Sequence, residues 1–412
     1  MRAMRSRRLL LVASIPWLAL ACSSLKVGDP SGSPEPDASE PGPPPPEAGT
    51  PPDGAAAPDV LTTPDTSPDT RPDARADAGD ANPDAPFTPG PLETVAENLL
   101  AGLGVATTSS HVYWYERGAA AGSNWDAVFR RLPFTQICGA GENCGAMLFR
   151  SGGFPTYFGD WHTGPVASDS IACISVIYNA TRETELSCLR QSDGTVVRAP
   201  GTQFAATVRF AASGDLYFSV PARPAQTTSY VRKWSVATPT VAPTDVLTRT
   251  TSNIQSFVVD GATFFWVESS GSTSSVWTQG TGAPEQLALP RPGDAELTVD
   301  GSFVYVSRTT EGKVLRYPRT GLTAGVEIAT NKKSPGSLAR RGDYLLRLDY
   351  GDPPDYANGE LSRCSPDGTA CVTLDLDPGQ SGFAATANTA YVVTFGSPPN
   401  YRGTVKRIRF AP

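Results

Sequence analysis

The stretch DGSFVYVSRTTEGKVLRYPRTG, residues 300–321, reads turn, strand, polar loop, strand, turn. Val304, Tyr305 and Val306 form an apolar run behind the Asp300-Gly301 turn, and Val314, Leu315, Arg316 and Tyr317 form a second run closed by Gly321. Short β-branched and aromatic runs bounded by Asp and Gly are the signature of paired strands. With Tyr305 as anchor, equivalent positions are Tyr113, Ala172, Tyr217, Phe265, Leu345 and Tyr391. Each anchor is followed by a second run, from Val128-Phe129-Arg130 in the first unit to Val405-Lys406-Arg407 in the last. The anchors are 59, 45, 48, 40, 40 and 46 residues apart. One four-stranded propeller blade occupies roughly 40–50 residues.

Each interval leaves room for two more strands. After Gly321 come Val326–Thr330 and then Gly336-Ser337-Leu338-Ala339, an outer strand and the inner strand of the next unit. The last unit ends without an outer strand. Ahead of the first unit, Glu93–Asn98 is similar to Val326–Asn331 and can supply it, which closes a ring and leaves no open edge. The fold expected is an all-β propeller of seven four-stranded blades, closed by the N-terminal strand. The second unit, with Ala172 at its anchor, is the weakest copy, so six and eight blades stay open.

Tyr113-Trp114-Tyr115-Glu116 and Phe265-Trp266-Val267-Glu268 come nearest to Tyr-Trp-Thr-Asp. Over residues 92–412 the repeats thereby resemble the broad propeller group that includes the YWTD, NHL and gluconolactonase-like families. The resemblance implies architecture, and those families commonly have six blades. It also implies an alternative function. Metal-dependent lactonases of this fold use carboxylates and Asn at the channel mouth, so a metal-assisted lactonase or hydrolase, with Ca or another divalent metal, is the second reading.

The N-terminus carries an address. Arg2, Arg5, Arg7 and Arg8 precede an apolar run from Leu9 to Ala21, too short to span a bilayer and right for a signal-peptide core. Leu18-Ala19-Leu20-Ala21-Cys22 resembles the lipobox of bacterial lipoproteins, which implies a signal peptide over 1–21 and lipidation of Cys22. Ser23, in place of Asp, implies the outer membrane. Residues 22–91 are a Pro/Asp/Ala-rich linker whose composition cannot bury a core. The expectation is an exported cell-envelope protein, facing periplasm or cell surface and attached to the membrane through its N-terminus.

Segment 28–91 holds 13 acids against Arg71 and Arg75, so most of the net charge of −7 lies there. The remaining 92–412 is nearly neutral, which gives no electrostatic footprint for nucleic acid. Two histidines, His111 and His162, exclude a histidine-rich metal site. No Gly-x-Ser-x-Gly, His-Glu-x-x-His, phosphate-loop or EF-hand pattern is present. No catalytic residue is assigned, no cofactor follows from the leading reading, and a monomer is expected.

Six cysteines remain after Cys22. Six allow 15 pairings, so the repeat register has to choose among them. Cys138 and Cys144 flank a Gly-rich turn, Cys364 and Cys371 flank Pro366-Asp367-Gly368 at the equivalent place, and Cys173 and Cys188 lie on neighbouring strands. Three local disulfides are expected, in keeping with an oxidising compartment.

In a propeller, connections between the second and third strands of a blade share one face with connections between blades. The tight Asp-Gly turns lie on the other face, where the linker enters. The outward face therefore collects the long segments, among them Tyr115–Asp126, Tyr178–Glu185, Asp349–Asn358, Phe395–Arg402 and the insertion Phe154–His162. Tyr115, Trp125, Trp161, Tyr178, Tyr350, Tyr356 and Tyr401, interleaved with Glu116, His162, Glu268, Arg308 and Asp349, suit recognition of a protein, peptide or carbohydrate. Glu116, Glu268, Arg308 and Asp349 each follow a second strand and can meet at the channel mouth. The plainer reading is that the rings pack on their own blades and the charges are solvated.

Overall fold

A computed structural model of the chain describes residues 89–100, 102–117, 127–151, 154–155, 165–177, 184–200, 208–210, 215–222, 227–250, 252–293, 295–351, 358–375, 380–395 and 402–410. The described elements are all strands. The chain opens with β1 (Pro89–Leu100). The first blade is β2 (Gly102–Thr107), β3 (His111–Arg117), β4 (Ala127–Pro133) and β5 (Ala146–Ser151). The second is β6 (Phe154–Pro155), β7 (Val166–Ala167), β8 (Ile171–Ile177), β9 (Thr184–Arg190) and β10 (Val196–Arg198). The third is β11 (Val208–Phe210), β12 (Leu216–Val220), β13 (Thr228–Trp234) and β14 (Thr244–Thr250). The fourth is β15 (Asn253–Asp260), β16 (Thr263–Ser270), β17 (Thr273–Gln279) and β18 (Glu285–Pro292). The fifth is β19 (Ala295–Val299), β20 (Phe303–Arg308), β21 (Lys313–Pro318) and β22 (Val326–Ala329). The sixth is β23 (Pro335–Arg341), β24 (Tyr344–Asp349), β25 (Glu360–Cys364) and β26 (Cys371–Asp375). The seventh is β27 (Gln380–Ala385), β28 (Thr389–Thr394) and β29 (Arg402–Phe410), completed by β1.

Seven antiparallel blades therefore form a β-propeller, and the count is seven rather than six or eight. The second strand of each blade is buried on both faces, because a neighbouring blade covers each side; β12, β24 and most of β20 and β28 show no exposed position. That is why these strands read as unbroken apolar runs rather than as alternation. Their side chains build seven hydrophobic clusters, one in each seam between consecutive blades. The seam between the last and first blades is as well filled as the others. Val95, Ala96 and Leu99 of β1 pack there with Val112 and Trp114 of β3 and with Tyr391, Val393 and Val405.

The closure expected from the sequence is present. β1 pairs antiparallel with β29, from Pro89 opposite Phe410 to Leu100 opposite Arg402. The amide of Phe410 donates to the Asn388 carbonyl in the β27–β28 turn at 2.7 Å, so the chain enters the ring on the tight-turn face. Asn98 and Asn331, which close the two similar stretches, share a left-handed backbone (φ 56° and 54°). Asn tolerates that conformation better than most residues.

The second blade departs from the pattern, as its weak anchor foreshadows. Its inner edge is split between β6 and β7, both paired to β8, and its outer β10 is three residues long. Phe154 and Pro155, expected in a connection, instead pair with Ile177 and Val176. Proline is tolerated there because β6 lies at the sheet edge.

All three expected disulfides form. Cys173 lies directly opposite Cys188 across β8 and β9, and Cys364 opposite Cys371 across β25 and β26. Their Cα atoms are 4.1 and 4.0 Å apart. Cys138–Cys144 (Cα–Cα 5.4 Å) closes the loop between β4 and β5.

Asp300 fixes the turn that opens its stretch and ties it to the next blade. Its carboxylate accepts from the amides of Ser302 (2.8 Å) and Phe303 (2.7 Å), from the Tyr305 hydroxyl (2.7 Å) and from Arg340 Nε (3.1 Å) of the next blade. Burial would raise its pKa, but these donors outweigh burial and hold it below the usual Asp value. The Tyr305 hydroxyl is pushed up to about 12 by burial and by Asp300. Asp300→Ala leaves a half-buried guanidinium and a buried phenol with one acceptor fewer, so a loss of about 2 kcal/mol is expected in urea unfolding at pH 7. A change within about 0.5 kcal/mol, the ordinary range for surface positions, would contradict this role.

Candidate functional site

Of the residues singled out from the sequence, Tyr115, Glu116, Glu268, Arg308, Asp349 and Tyr350 are described. Trp125, Trp161, His162, Tyr178, Tyr356 and Tyr401, together with Cys22, lie outside the described residues. Tyr115 is buried with Tyr113, Phe129 and Ile174 in the seam between the first two blades.

The four charged candidates do not converge; each turns into a different place between blades. Glu116 is buried at the end of β3, where its carboxylate accepts from Arg130 Nε at 2.6 Å, Asn143 Nδ2 at 3.0 Å and the Leu100 amide at 3.0 Å. It fastens the end of the closing strand to the first blade. Glu268 accepts from Arg249 Nε (2.6 Å), Ser252 Oγ (2.6 Å) and Trp266 Nε1 (3.1 Å). Burial pushes its pKa up, but the Arg249, Ser252 and Trp266 bonds prevail and hold it below the ordinary Glu value. Arg249 in turn lies over the Trp277 ring at 4.7 Å from its centroid.

Arg308 is fully buried. Its Nη1 donates to Ser274 Oγ (2.6 Å) and to the Ser274 carbonyl (3.1 Å), while Nε and Nη2 make no hydrogen bond of ordinary length among the described residues. Burial lowers its pKa. Asp349, 3 % exposed, is pushed up to about 6 by burial, against the pull of Arg347 and Lys332 and with a further push from Glu360. Its neighbour Tyr350 lies across Gly336, where a Cβ would come within 2.0 Å of the ring. The Tyr350 hydroxyl is 3.1 Å from Ser337 Oγ.

Ser337 belongs to the axial channel, a cavity of about 400 Å³ lined by the inner strands of all seven blades. Val105, Val166, Val258, Leu297 and Phe383 supply much of the wall, but the surface that faces the cavity is more polar than apolar. Arg209, Glu296, Thr298, Ser337 and Arg341 lie among them. Glu296 is 6 % exposed and lies 3.5 Å from Ser337 Oγ, so Tyr350, Ser337 and Glu296 form a chain of polar groups from the outward end of β24 into the channel. Burial lowers the Arg209 pKa, and the Glu296 charge opposes that. Among the described residues Glu296 is the one carboxylate lining the cavity, and no group of three His, Cys, Asp or Glu side chains is arranged to hold a metal. The paired carboxylates that a metal-assisted lactonase needs on the axis are therefore not found among the described residues.

Arg209, Glu296 and Ser337 were not anticipated. A signal exists: in Val208-Arg209-Phe210 and Ala295-Glu296-Leu297 a charge interrupts a short apolar inner strand. Only the ring closure shows that this position faces the axis.

No protein-family model matches this sequence, and no curated protein sequence matches it. Solved structures do match by shape. The β-propeller domain of the Trilobed protease from Pyrococcus furiosus is 7 % identical over 72 % of this chain and 91 % of its own, with a TM-score of 0.52. Virginiamycin B lyase from Staphylococcus aureus, solved with quinupristin, is 8 % identical over 78 % of this chain and 99 % of its own, with a TM-score of 0.50. A puromycin-hydrolysing peptidase of Mycobacterium tuberculosis is 13 % identical over 78 % of this chain, with a TM-score of 0.52, and the match spans 55 % of its length. Identities this low show a shared fold alone.

Proposed function

We propose that this chain is an exported, lipid-anchored β-propeller that presents the face opposite its anchor to a protein, peptide or carbohydrate ligand in the bacterial cell envelope. The supporting observation is the entry of β1 beside Phe410 on the tight-turn face. An anchor upstream of β1 then holds that face toward the membrane. β3, β8, β24 and β28 all end toward the opposite face, where the polar chain from Tyr350 to Glu296 also begins. The anchor rests on the lipobox-like Leu18–Cys22 stretch.

Two measurements on the full chain test this reading. Cys22→Ala is expected to move the protein from the outer-membrane fraction to the soluble fraction, and an unchanged distribution would rule out lipid anchoring. A photo-crosslinking residue at exposed Ser272 or Thr310, on the outward turns, is expected to give discrete adducts in envelope preparations. The same residue at exposed Ser302 or Asn388, on the entry face, is expected to give none. Adducts of equal yield from both faces, or from neither, would remove the presented binding face.

A further inference from the structure

The three disulfides differ in what surrounds them. Cys173 and Cys188 are fully buried; in Cys364–Cys371 one cysteine, Cys364, is 3 % exposed and the other, Cys371, is exposed, so what separates this bridge from the third is how its turn is held. In the Cys138–Cys144 bridge neither residue is buried, and Cys144 is exposed. The loop that it closes lies along the outer edge of β1, which among the described strands pairs with β29 alone. The Cys138 amide donates to the Val95 carbonyl at 2.9 Å, the Glu97 amide to the Glu142 carbonyl at 2.8 Å, and the Gly141 amide to Glu97 Oε2 at 2.5 Å. Asn98 Nδ2 donates to the Gly141 carbonyl. This loop of the first blade thus holds the strand that completes the seventh. A cavity of about 230 Å³ separates part of the loop, Cys138–Ala140, from Thr94–Glu97, although Phe134 and Cys138 still pack on the Val95–Leu99 cluster.

The geometry points to a site for thiol–disulfide exchange: we propose that Cys138–Cys144 reacts with a dithiol reductant, and that opening it unlatches β1. A thiolate of the reductant attacks the exposed Cys144 Sγ, and the Cys138–Cys144 bond breaks. Cys138 departs as thiolate and keeps the N–H donor that its sulfur already receives from Cys144 at 3.0 Å. The reductant's second thiol, as thiolate, then attacks the reductant's own sulfur in the mixed disulfide and releases Cys144. Two electrons pass from the dithiol, which becomes a disulfide, and its two protons end on Cys138 and Cys144. The loop, no longer tied into a short ring, gains conformational freedom, and its four contacts to β1 must then be made against that entropy.

The disulfide of the sixth blade serves as an internal control. It sits at the equivalent place, and its turn abuts β22, where a Cβ on Gly368 would meet the Ile328 carbonyl at 2.0 Å. It guards no closing strand, and its own turn is held by bonds from Ser365 and Thr369 to Asp367.

The full chain is treated with dithiothreitol without denaturant, pulse-alkylated and mapped by mass spectrometry, with amide exchange followed in parallel. Cys138 and Cys144 are expected to label at least about tenfold faster than the other four, and amides of 95–98 to exchange about tenfold faster after reduction while β20 and β21 stay unchanged. Opening of Cys364–Cys371 at the same rate would overturn the site, and unchanged exchange over 95–98 would overturn the latch. Cys138→Ser with Cys144→Ser should reproduce the reduced exchange pattern. If that variant does not fold, the reduced wild-type chain decides.

Discussion

Val405→Pro is expected to cost on the order of 4 kcal/mol and to open the ring. Val405 is fully buried in β29, with Val393 of β28 on one side and Ala96 of β1 on the other. Proline removes the amide from an interior strand, leaves a buried carbonyl without its donor and places a ring in the ladder. Val405→Ala separates the two components, since it keeps the ladder and loses only side-chain packing, roughly 2 kcal/mol. The measurement is guanidinium unfolding of both variants, with amide exchange over β1. A proline variant no less stable than the alanine variant would mean that closure through β1 and β29 does not hold the ring together.

The second large effect concerns pH. Asp349 has a folded pKa of about 6, raised chiefly by burial, against an ordinary value of 3.8. Well below pH 3.8 the group is protonated in both folded and unfolded chains and contributes nothing. As pH rises, the unfolded chain releases its proton first, so the folded state loses stability through the interval from 4 to 6. Above the folded pKa the accumulated loss levels off on the order of 3 kcal/mol. Asp349→Asn cannot titrate and is expected to be more stable than wild type at pH 7.5 by up to about that amount, with most of the advantage gone at pH 4. Glu268, Glu360 and Asp300 have lowered pKa values and give the opposite slope, so only the difference between the two proteins isolates Asp349. An advantage equal at both pH values, or present only at pH 4, would show that burial of the carboxylate is not the cause.

What was legible in the sequence, and what was not, divides along the distance between partners. Val304-Tyr305-Val306 could be recognised because a strand covered on both faces must be continuously apolar. Glu93–Asn98 could be assigned to the last blade because the turn into an inner strand asks the same of Asn98 as of Asn331. The cysteines paired correctly because strand register puts Cys173 opposite Cys188. Glu116, Arg308 and Asp349 were read as charges at a mouth because each follows a strand. Their actual surroundings, Asn143 for Glu116 and Ser274 for Arg308, lie in other elements 27 and 34 residues away. No local pattern encodes such a pairing. The channel's Arg209 and Glu296 were hidden for the same reason, since strands from the third and fifth blades face each other only after the ring has closed.

Closure by β1 also sets a clock. Glu93 and Arg407, which pair across the joint, are 314 residues apart in the chain. Joining ends so distant carries a loop-closure entropy of about 5 kcal/mol, roughly two to three times the increment for adjacent strands of one blade. Contacts of such long range make folding slow. At roughly 5–20 residues per second, synthesis of the intervening segment takes on the order of 15–60 s. Through that time β1 exists without the strand it must pair with, and β29, when it arrives, exposes one unpaired edge. The moment of greatest risk for this protein is therefore the interval between making its first strand and making its last, when unpaired β1 can recruit a strand from another chain.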